Sequence, residues 1–262
     1  MSADAPRLRQ LTRPASVLLV AAAGAWLAVA SLAHGMGAMP GTMGLSLGAF
    51  AGVWALMMTA MMLPTIAPFA ALYTRTLTDH RPRRIAELTA GYLLVWASAA
   101  VPAYALAWIA GELTAGHPAA ARMLAVAIFA CCGIYQLTPV KDRCLARCRS
   151  PLGFVLKYGS YQGRMRDLRV GINHGAFCLA CCWALMAVLV PAGLMNLAAM
   201  VALAAVVLAE KTWRRGPGLS RVVGVAALIL AVAVAFHPSL APGLHPAPAL
   251  PGGMTHGAMH TG

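Results

Sequence analysis

The sequence predicts an all-α protein, a polytopic transmembrane helical bundle of about seven spans, and three observations carry that prediction. Hydrophobic residues make up 60% of the 262 residues and charged residues only 10%, whereas a soluble chain has about 25% charged residues. Apolar runs of bilayer length recur along the chain. The basic residues lie almost entirely in alternate connecting segments. This composition excludes a soluble globular enzyme and a disordered protein.

Seven apolar runs approach the length of about 20 residues that a helix needs to cross about 30 Å of hydrocarbon. Only Pro191–Gly193 separates the fifth run from the sixth. The two could therefore form one hairpin, or the sixth could fail to cross fully, which leaves six spans as an alternative. The first run is longer than a usual signal-peptide core, so we expect it to be retained. The runs are Ser16–Ala33, Leu45–Tyr73, Leu88–Ala110, Ala119–Thr138, Gly171–Val190, Leu194–Ala209 and Val222–Phe236.

The charge distribution predicts the orientation of these spans. Lys and Arg number 20 against 7 Asp and Glu. In a seven-span chain all but Arg122 lie on one side, in the N-terminal segment and in loops 74–87, 139–170 and 210–221. The positive-inside rule then places the N-terminus inside and the C-terminus outside, in a bacterial-type cytoplasmic (inner) membrane. The formal charge of +13 is therefore a topology signal, and we expect no nucleic-acid partner.

The predicted organisation has three parts. Residues 1–15 form a cytoplasmic segment, residues 16–236 form one transmembrane domain that includes the cytoplasmic loop 139–170, and residues 237–262 form an extracytoplasmic tail. This tail is rich in His and Met, and so is the first outer loop, His34–Met43. Imidazole and thioether ligands suit copper, and thioethers select Cu(I). A disordered tail with scattered His and Met is the alternative.

The fifth span carries the densest set of potential metal ligands. One imidazole, three thiols and a thioether fall within an arc of about 140° on one side of a helix. Isolated cysteines are ordinary core residues, but three of them beside an intramembrane histidine indicate a functional site. We therefore predict metal ligation by His174, Cys178, Cys181, Cys182 and Met186.

Two further groups of residues add to the predicted metal ligands. The second span contains two i,i+4 methionine pairs just before Pro64, which suits either a metal-conducting stripe or ordinary core packing. Cys144 and Cys148, in the inner loop, share a face if their segment is helical, and flanking basic residues favour the thiolate form that binds metal. The methionines are Met57, Met58, Met61 and Met62.

Three classes of function are consistent with these residues. The first is binding of copper as Cu(I), which the protein moves or delivers; zinc and iron are less favoured because methionine is a poor ligand for both. The second is a membrane thiol-disulfide redox protein that uses the Cys178/Cys181 pair. The third is a transporter of a small organic solute, because Trp54–Met57 recurs as Trp183–Met186 on oppositely directed spans. Glu210 and Lys211 are interpreted as an interfacial ion pair. No nucleotide-binding loop, catalytic triad or paired carboxylates are visible in the sequence, so we do not expect an enzyme.

The chain resembles the predicted metal-binding integral membrane proteins known as domain of unknown function 2182. The resemblance covers roughly residues 45–215, and several motifs occur in the family's order. One departure is Ala180, where the family commonly has glycine. The matching residues are Trp54, Met57, Ala60–Pro64, Tyr135–Pro139, Lys141, Cys144, Cys148–Arg149, Cys178–Met186, Asn196 and Glu210–Lys211.

The resemblance implies a role in copper supply. It marks Cys144, Cys148, Cys178, Cys181, Cys182 and the Met61–Pro64 segment, and it implies delivery of copper to a cuproenzyme such as a tyrosinase-type oxidase. The expected partners are therefore the metal ion, the lipid bilayer and a cuproenzyme or copper chaperone. The resemblance does not imply a transport mechanism.

Overall fold

The computed structural model describes residues 4–36, 40–77, 80–150, 153, 158 and 163–244, and these residues form helices and no strand. The predicted all-α transmembrane bundle is confirmed. The helices are α1 (Asp4–Met36), α2 (Leu47–Tyr73), α3 (Arg81–Ser98), α4 (Ala100–Gly116), α5 (Pro118–Gln136), α6 (Pro139–Cys148), α7 (Arg166–Ala187), α8 (Leu189–Ala192), α9 (Leu197–Thr212) and α10 (Gly216–Phe236).

Six helical segments of the described chain are long and apolar enough to cross a membrane. Two of them combine consecutive helices, α3 with α4 and α7 with α8. The sixth predicted run is α9, which has only 16 residues and a length of about 24 Å, less than the hydrocarbon thickness of about 30 Å. Of the described helices, six segments are therefore long and apolar enough for a full span, the number of the alternative count, and α9 is not. The six segments are Ala15–His34, Leu47–Tyr73, Arg81–Gly116, Pro118–Gln136, Arg166–Ala192 and Gly216–Phe236.

Although α9 is short, it still reverses the direction of the chain. Near its end, the Glu210 carboxylate accepts a 2.7 Å hydrogen bond from Gln136, the last residue of α5. Ser220, near the start of α10, lies 3.4 Å from the Gln136 amide oxygen. The end of α5, the end of α9 and the start of α10 therefore lie at one level. This arrangement is compatible with the predicted alternation of loops, while the inside-out orientation stays a prediction.

The long helices α3 and α7 pack closely because glycines lie between them. A Cβ atom on Gly91 of α3 would collide with the carbonyl oxygen of Leu168, and one on Gly171 of α7 would collide with that of Leu88. Small residues of this kind allow membrane helices to approach backbone to backbone. The pair α3–α7 has the most extensive interhelical contact of the described chain and holds the thiol-bearing helix in place.

An ion pair and its hydrogen bonds join the ends of three long helices. Asp167, in the first turn of α7, accepts a 2.5 Å hydrogen bond from the Tyr73 hydroxyl at the end of α2. Its carboxylate also accepts hydrogen bonds of 2.8 and 3.2 Å from the Arg84 guanidinium of α3. These hydrogen bonds hold α2, α3 and α7 together at this end of the bundle.

Candidate metal centre

Three cysteine thiols come together where α6 meets α7. The Cys148 sulfur of α6 lies 3.8 Å from the Cys181 sulfur of α7, and the Cys181 sulfur lies 3.2 Å from the Cys182 sulfur. Cys181 and Cys182 are buried, whereas Cys148 is partly exposed. All seven cysteines are free thiols. We call Cys148, Cys181 and Cys182 the thiol cluster.

The local sequence explains why α6 begins where it does. The Thr138 hydroxyl caps the helix by accepting a 3.3 Å hydrogen bond from the Lys141 amide, and Pro139 occupies the first helical position, where its missing N–H costs nothing. The helix then runs to Cys148. Cys144 and Cys148 therefore share a face at i,i+4, as the sequence predicted for a helical segment.

Contacts on both sides of Cys148 hold α6 against the bundle. The Arg149 guanidinium donates a 2.5 Å hydrogen bond to the carbonyl oxygen of Glu210 and a 3.3 Å one to that of Arg214. The Arg147 guanidinium lies 4.9 Å from the centre of the Phe177 ring on α7, a cation–π geometry. These contacts bring Cys148 from a short amphipathic helix to the buried thiols of α7.

The fourth thiol, Cys178, lies next to a lysine. Its sulfur is 2.7 Å from the Lys211 ammonium and 3.0 Å from the Tyr92 hydroxyl. The same ammonium is 3.4 Å from the Thr65 hydroxyl, and Cys178 is fully buried. The ammonium is therefore placed to interact with negative charge on this sulfur when the thiol is deprotonated or binds a metal ion.

A second lysine lies on the other side of the thiol cluster. Lys141 donates hydrogen bonds of 2.7 Å to the Cys181 carbonyl oxygen and to the Glu210 carboxylate, and both Lys141 and Glu210 are 0% exposed. Burial by itself lowers the pKa of Lys141, but the opposing charges of Cys182 and Glu210 outweigh it, so this pKa is raised above its usual value. Glu210 and Lys211 are therefore not an ion pair with each other. Adjacent helical residues point in different directions, and each contacts its own partner.

The remaining predicted ligands of α7 lie apart from the thiol cluster. The His174 ring stacks on the Phe69 ring at 4.5 Å and 4° and lies 5.8 Å from the Tyr92 ring. Met186 lines a cavity of about 630 Å³ between α2, α3, α4 and α7, together with Trp54, Trp96 and Trp183. The five predicted side chains of α7 are all buried, but they face different surroundings. The five are His174, Cys178, Cys181, Cys182 and Met186.

The methionine stripe of α2 is buried in the bundle. Its last member, Met62, has a carbonyl oxygen that accepts hydrogen bonds from the hydroxyls of Thr65, at 2.8 Å, and Tyr92, at 3.4 Å. The stripe therefore ends close to the polar groups around Cys178. Metal ligation by these thioethers stays a prediction. The four residues, Met57, Met58, Met61 and Met62, are each at most 1% exposed.

Within the described ranges, no three or more His, Cys, Asp or Glu side chains form a preformed metal-binding group. The thiol cluster instead offers sulfurs from two helices, a donor set suited to soft Cu(I). The predicted His/Met ligands of the outer segments fall largely on residues 37–39 and 245–262, outside the described residues. Of that set, the side chains of His34, Met43 and His237 are described. The Nδ1 atom of His34 contacts the carbonyl oxygen of Ala30, and Met43 is buried.

Sequence reasoning missed the polar groups around the thiols. The sequence patterns indicate Lys141 as an inside-facing charge and Lys211 as the partner of Glu210, and they give no role to Tyr92 or Thr65. The available signal was the presence of lysines at the ends of apolar runs, because buried charges at membrane depth are costly and usually functional. Their partners could not be read from the sequence, since Lys211 and Cys178 are far apart along the chain.

The fold and this site define a class of protein, a multi-pass membrane protein with buried thiols flanked by lysines. A family model, PpoB2, described as copper chaperone, matches residues 51–234. The match runs from the first turn of α2 to the end of α10 and includes every residue of the site. The chain belongs to this family, which indicates a copper-related function. No curated protein and no solved structure matches the chain.

Proposed function

We propose that this protein is a membrane copper chaperone, not an enzyme, which holds Cu(I) at the thiol cluster and passes it to a cuproenzyme. The observation that carries the proposal is the approach of Cys148 from α6 to Cys181 from α7, with sulfurs 3.8 Å apart. A chaperone must release its ion as well as bind it. A site built from two helices, one of them short and peripheral, suits both requirements.

The charges around the site suit a bound Cu(I) ion. Two thiolates and one Cu(I) carry a net charge of −1, which is costly to bury unless a cation balances it. Lys141 is already paired with Glu210 at 2.7 Å. Lys211 contacts Cys178 rather than a carboxylate, so its positive charge is available to balance the copper-thiolate unit.

Exposure of the cysteines supports a route for the ion through α6. Cys144 and Cys148 are partly exposed, whereas Cys178, Cys181 and Cys182 are buried. A partner's thiol can therefore reach Cys148 first, and Cu(I) can then move by ligand exchange to the buried sulfurs. In the predicted orientation this route opens on the cytoplasmic side. We propose a tyrosinase-type oxidase as a recipient, in keeping with the family resemblance.

Anaerobic titration of the purified protein with Cu(I), in competition with a chromophoric Cu(I) chelator, tests the proposal. The Cys181→Ser/Cys182→Ser variant should lose the tightest Cu(I) site. The matched control is Cys131→Ser, which removes an exposed thiol of α5 outside the cluster and should bind as the wild type does. Equal affinity and stoichiometry in all three proteins would refute the proposed site.

The redox alternative makes a different prediction. The Cys178 sulfur contacts Lys211 and Tyr92, whereas the Cys181 sulfur contacts Cys148 and Cys182, so the two thiols have different surroundings. Acid quenching, followed by alkylation of the denatured protein, should find both as thiols. An oxidised Cys178/Cys181 fraction that copper chelation leaves unchanged would favour a thiol-disulfide protein over the chaperone.

One observation supports a transporter of a small organic solute as a second candidate. The two Trp-Ala-Leu-Met segments meet at one cavity of about 630 Å³, where Trp54, Trp183 and Met186 are lining residues. This volume lies in the range of about 300–1,000 Å³ that is usual for ligand sites. Trp183→Ala should leave Cu(I) affinity unchanged. A loss of copper binding in that variant would connect the cavity to the copper site.

A further inference from the structure

A second polar cavity lies far from the thiols, at the end of the bundle where α3 and α7 begin. Its volume is about 430 Å³, and its charged lining residues are Arg83, Arg84, Glu87, Arg164, Arg166 and Asp167. The volume again lies in the usual range of about 300–1,000 Å³ for a ligand site. The copper function described above does not use this cavity.

The charges of this cavity do not balance. Arg83 pairs with Glu87 at 2.9 Å and Arg84 with Asp167 at 2.8 Å, which uses both carboxylates. Among the described residues, the ion pairs leave Arg164 and Arg166 without a carboxylate. The Arg166 Nε atom is also buried without a hydrogen-bond partner in this part of the chain. A buried donor without an acceptor is costly, so these groups indicate a site for an anion.

The arginine side chains of this cavity favour a phosphate group. The guanidinium is planar, always charged and able to donate two parallel hydrogen bonds to a phosphate or carboxylate. The two guanidinium groups that have no carboxylate partner among the described residues match the charge of a phosphomonoester, and either one can pair with a phosphodiester. A neutral ligand would leave this excess positive charge uncompensated.

The surroundings of the cavity suit a lipid. Met165 is 53% exposed and Ile172 is 39% exposed, and at a spacing of seven residues they lie on nearly the same side of α7. Exposed apolar side chains therefore lie beside the cavity on the outside of the span, with the exposed Arg169 between them. Basic pockets between transmembrane helices on the cytoplasmic side bind anionic headgroups, and the charge distribution predicts that this end is cytoplasmic.

We propose that the cavity at Arg164 and Arg166 binds a phosphate-bearing anion, supplied by the headgroup of an anionic phospholipid. The Arg164→Gln/Arg166→Gln variant tests this proposal. Arg214→Gln/Arg215→Gln is the matched control, because it removes two exposed arginines from another loop that is predicted to face the same side. Neither pair belongs to the thiol site, so the outcome is independent of copper binding.

Native mass spectrometry of the full chain in detergent should measure retention of phosphatidylglycerol, with phosphatidylcholine and inorganic phosphate in separate arms. We expect the wild type and the control to retain phosphatidylglycerol in preference to phosphatidylcholine. The Arg164/Arg166 variant should bind it about 30-fold more weakly, given the usual contribution of two basic residues near an anionic surface.

The measurements with phosphatidylcholine and with inorganic phosphate show whether the phosphate group comes from a lipid headgroup or from free phosphate. Inorganic phosphate could compete with phosphatidylglycerol at a similar affinity, and the Arg164/Arg166 variant could lose its binding of phosphate. That result would support the anion site and identify free phosphate as its ligand. Equal retention of phosphatidylcholine by the wild type would overturn the proposal. Unchanged phosphatidylglycerol binding by the Arg164/Arg166 variant would overturn it as well.

Discussion

Two buried ionic networks in this protein are built alike but leave different charge balances. At the start of α7, Asp167 contacts the Arg84 guanidinium and the Tyr73 hydroxyl, so one negative charge meets one positive charge. Beside the thiol cluster, Glu210 contacts Lys141 and Gln136, and a further cation, Lys211, lies against Cys178. The first network is balanced, whereas the second carries one positive charge more.

This difference separates a structural contact from a functional one. A balanced ion pair with satisfied hydrogen bonds holds helices together and needs no ligand. The additional, partly buried ammonium of Lys211 would be stabilised by a thiolate or by a copper-thiolate unit. The Asp167–Arg84–Tyr73 contacts therefore suit a structural role in holding the long helices, whereas the charge left over beside Lys211 suits the proposed binding of copper.

The largest effect is expected from breaking the Lys141–Glu210 pair. Lys141→Met leaves the Glu210 carboxylate buried without its cation, which should lower the free energy of unfolding by about 3–5 kcal/mol. Lys141→Met/Glu210→Gln removes both charges and should recover most of this loss. Denaturant unfolding in detergent micelles measures both. If the single variant is as stable as the double variant, the pair does not carry this part of the fold.

The same pair also predicts a pH dependence. The pKa of Lys141 in the folded protein is raised above its usual value. Its contribution to the free energy of unfolding is therefore fully present below the pKa of an unfolded lysine, and it is lost as the pH rises through the folded pKa. The stability difference between wild type and the Lys141→Met/Glu210→Gln variant should therefore stay constant through neutral pH and decrease only in strong alkali. A decrease near neutrality would show that another group titrates.

Breaking the balanced network should have a smaller effect on stability and none on copper. Asp167→Asn removes the negative charge that accepts the hydrogen bonds from Arg84. We expect a cost of at most about 2 kcal/mol, because solvent screens the partly exposed arginine. Glu87→Gln, which breaks the exposed pair with Arg83, is the control and should cost at most about 0.5 kcal/mol. Cu(I) affinity should match the wild type in both, and a loss in Asp167→Asn would mean that the two networks are coupled.

Removing the unpaired cation should weaken copper binding with little loss of fold. Lys211→Met leaves the copper-thiolate charge unbalanced, and we expect about tenfold weaker Cu(I) binding, in line with the usual value of one charged hydrogen bond. Lys211→Arg keeps the charge and should retain most of the affinity. Anaerobic chelator competition distinguishes the two variants. Equal affinities in Lys211→Met and Lys211→Arg would show that the charge is not needed.

The smallest effect is expected from the methionine stripe. Met61→Leu/Met62→Leu nearly conserves side-chain volume and should cost less than about 1.5 kcal/mol. If copper enters and leaves through α6, this variant keeps its Cu(I) affinity and its rate of transfer to an acceptor thiol. A large loss of either, or of copper uptake into vesicles, would instead make the thioethers part of the copper path.

The sequence predicted the helical class, most of the spans and the thiols, and it did so for local reasons. Apolar run length determines which segments can cross a membrane, and the periodicity of α7 determines that Cys178, Cys181 and Cys182 face the interior. His174 shows what this reasoning leaves undetermined. It shares the face of the thiols, but the neighbouring α2 places Phe69 against its ring, and no local pattern encodes that neighbour.

By itself, then, the sequence determined a membrane-type bundle and a concentration of soft ligands on one helix, because hydrophobicity and helical periodicity act over a few turns. Only the tertiary structure decided which cysteine of α6 meets α7, and that Glu210 and Lys211 contact different partners. It also decided that α9 stops short of a full span. These outcomes depend on contacts between residues distant in the chain, such as Lys211 and Cys178, which packing of whole helices brings together.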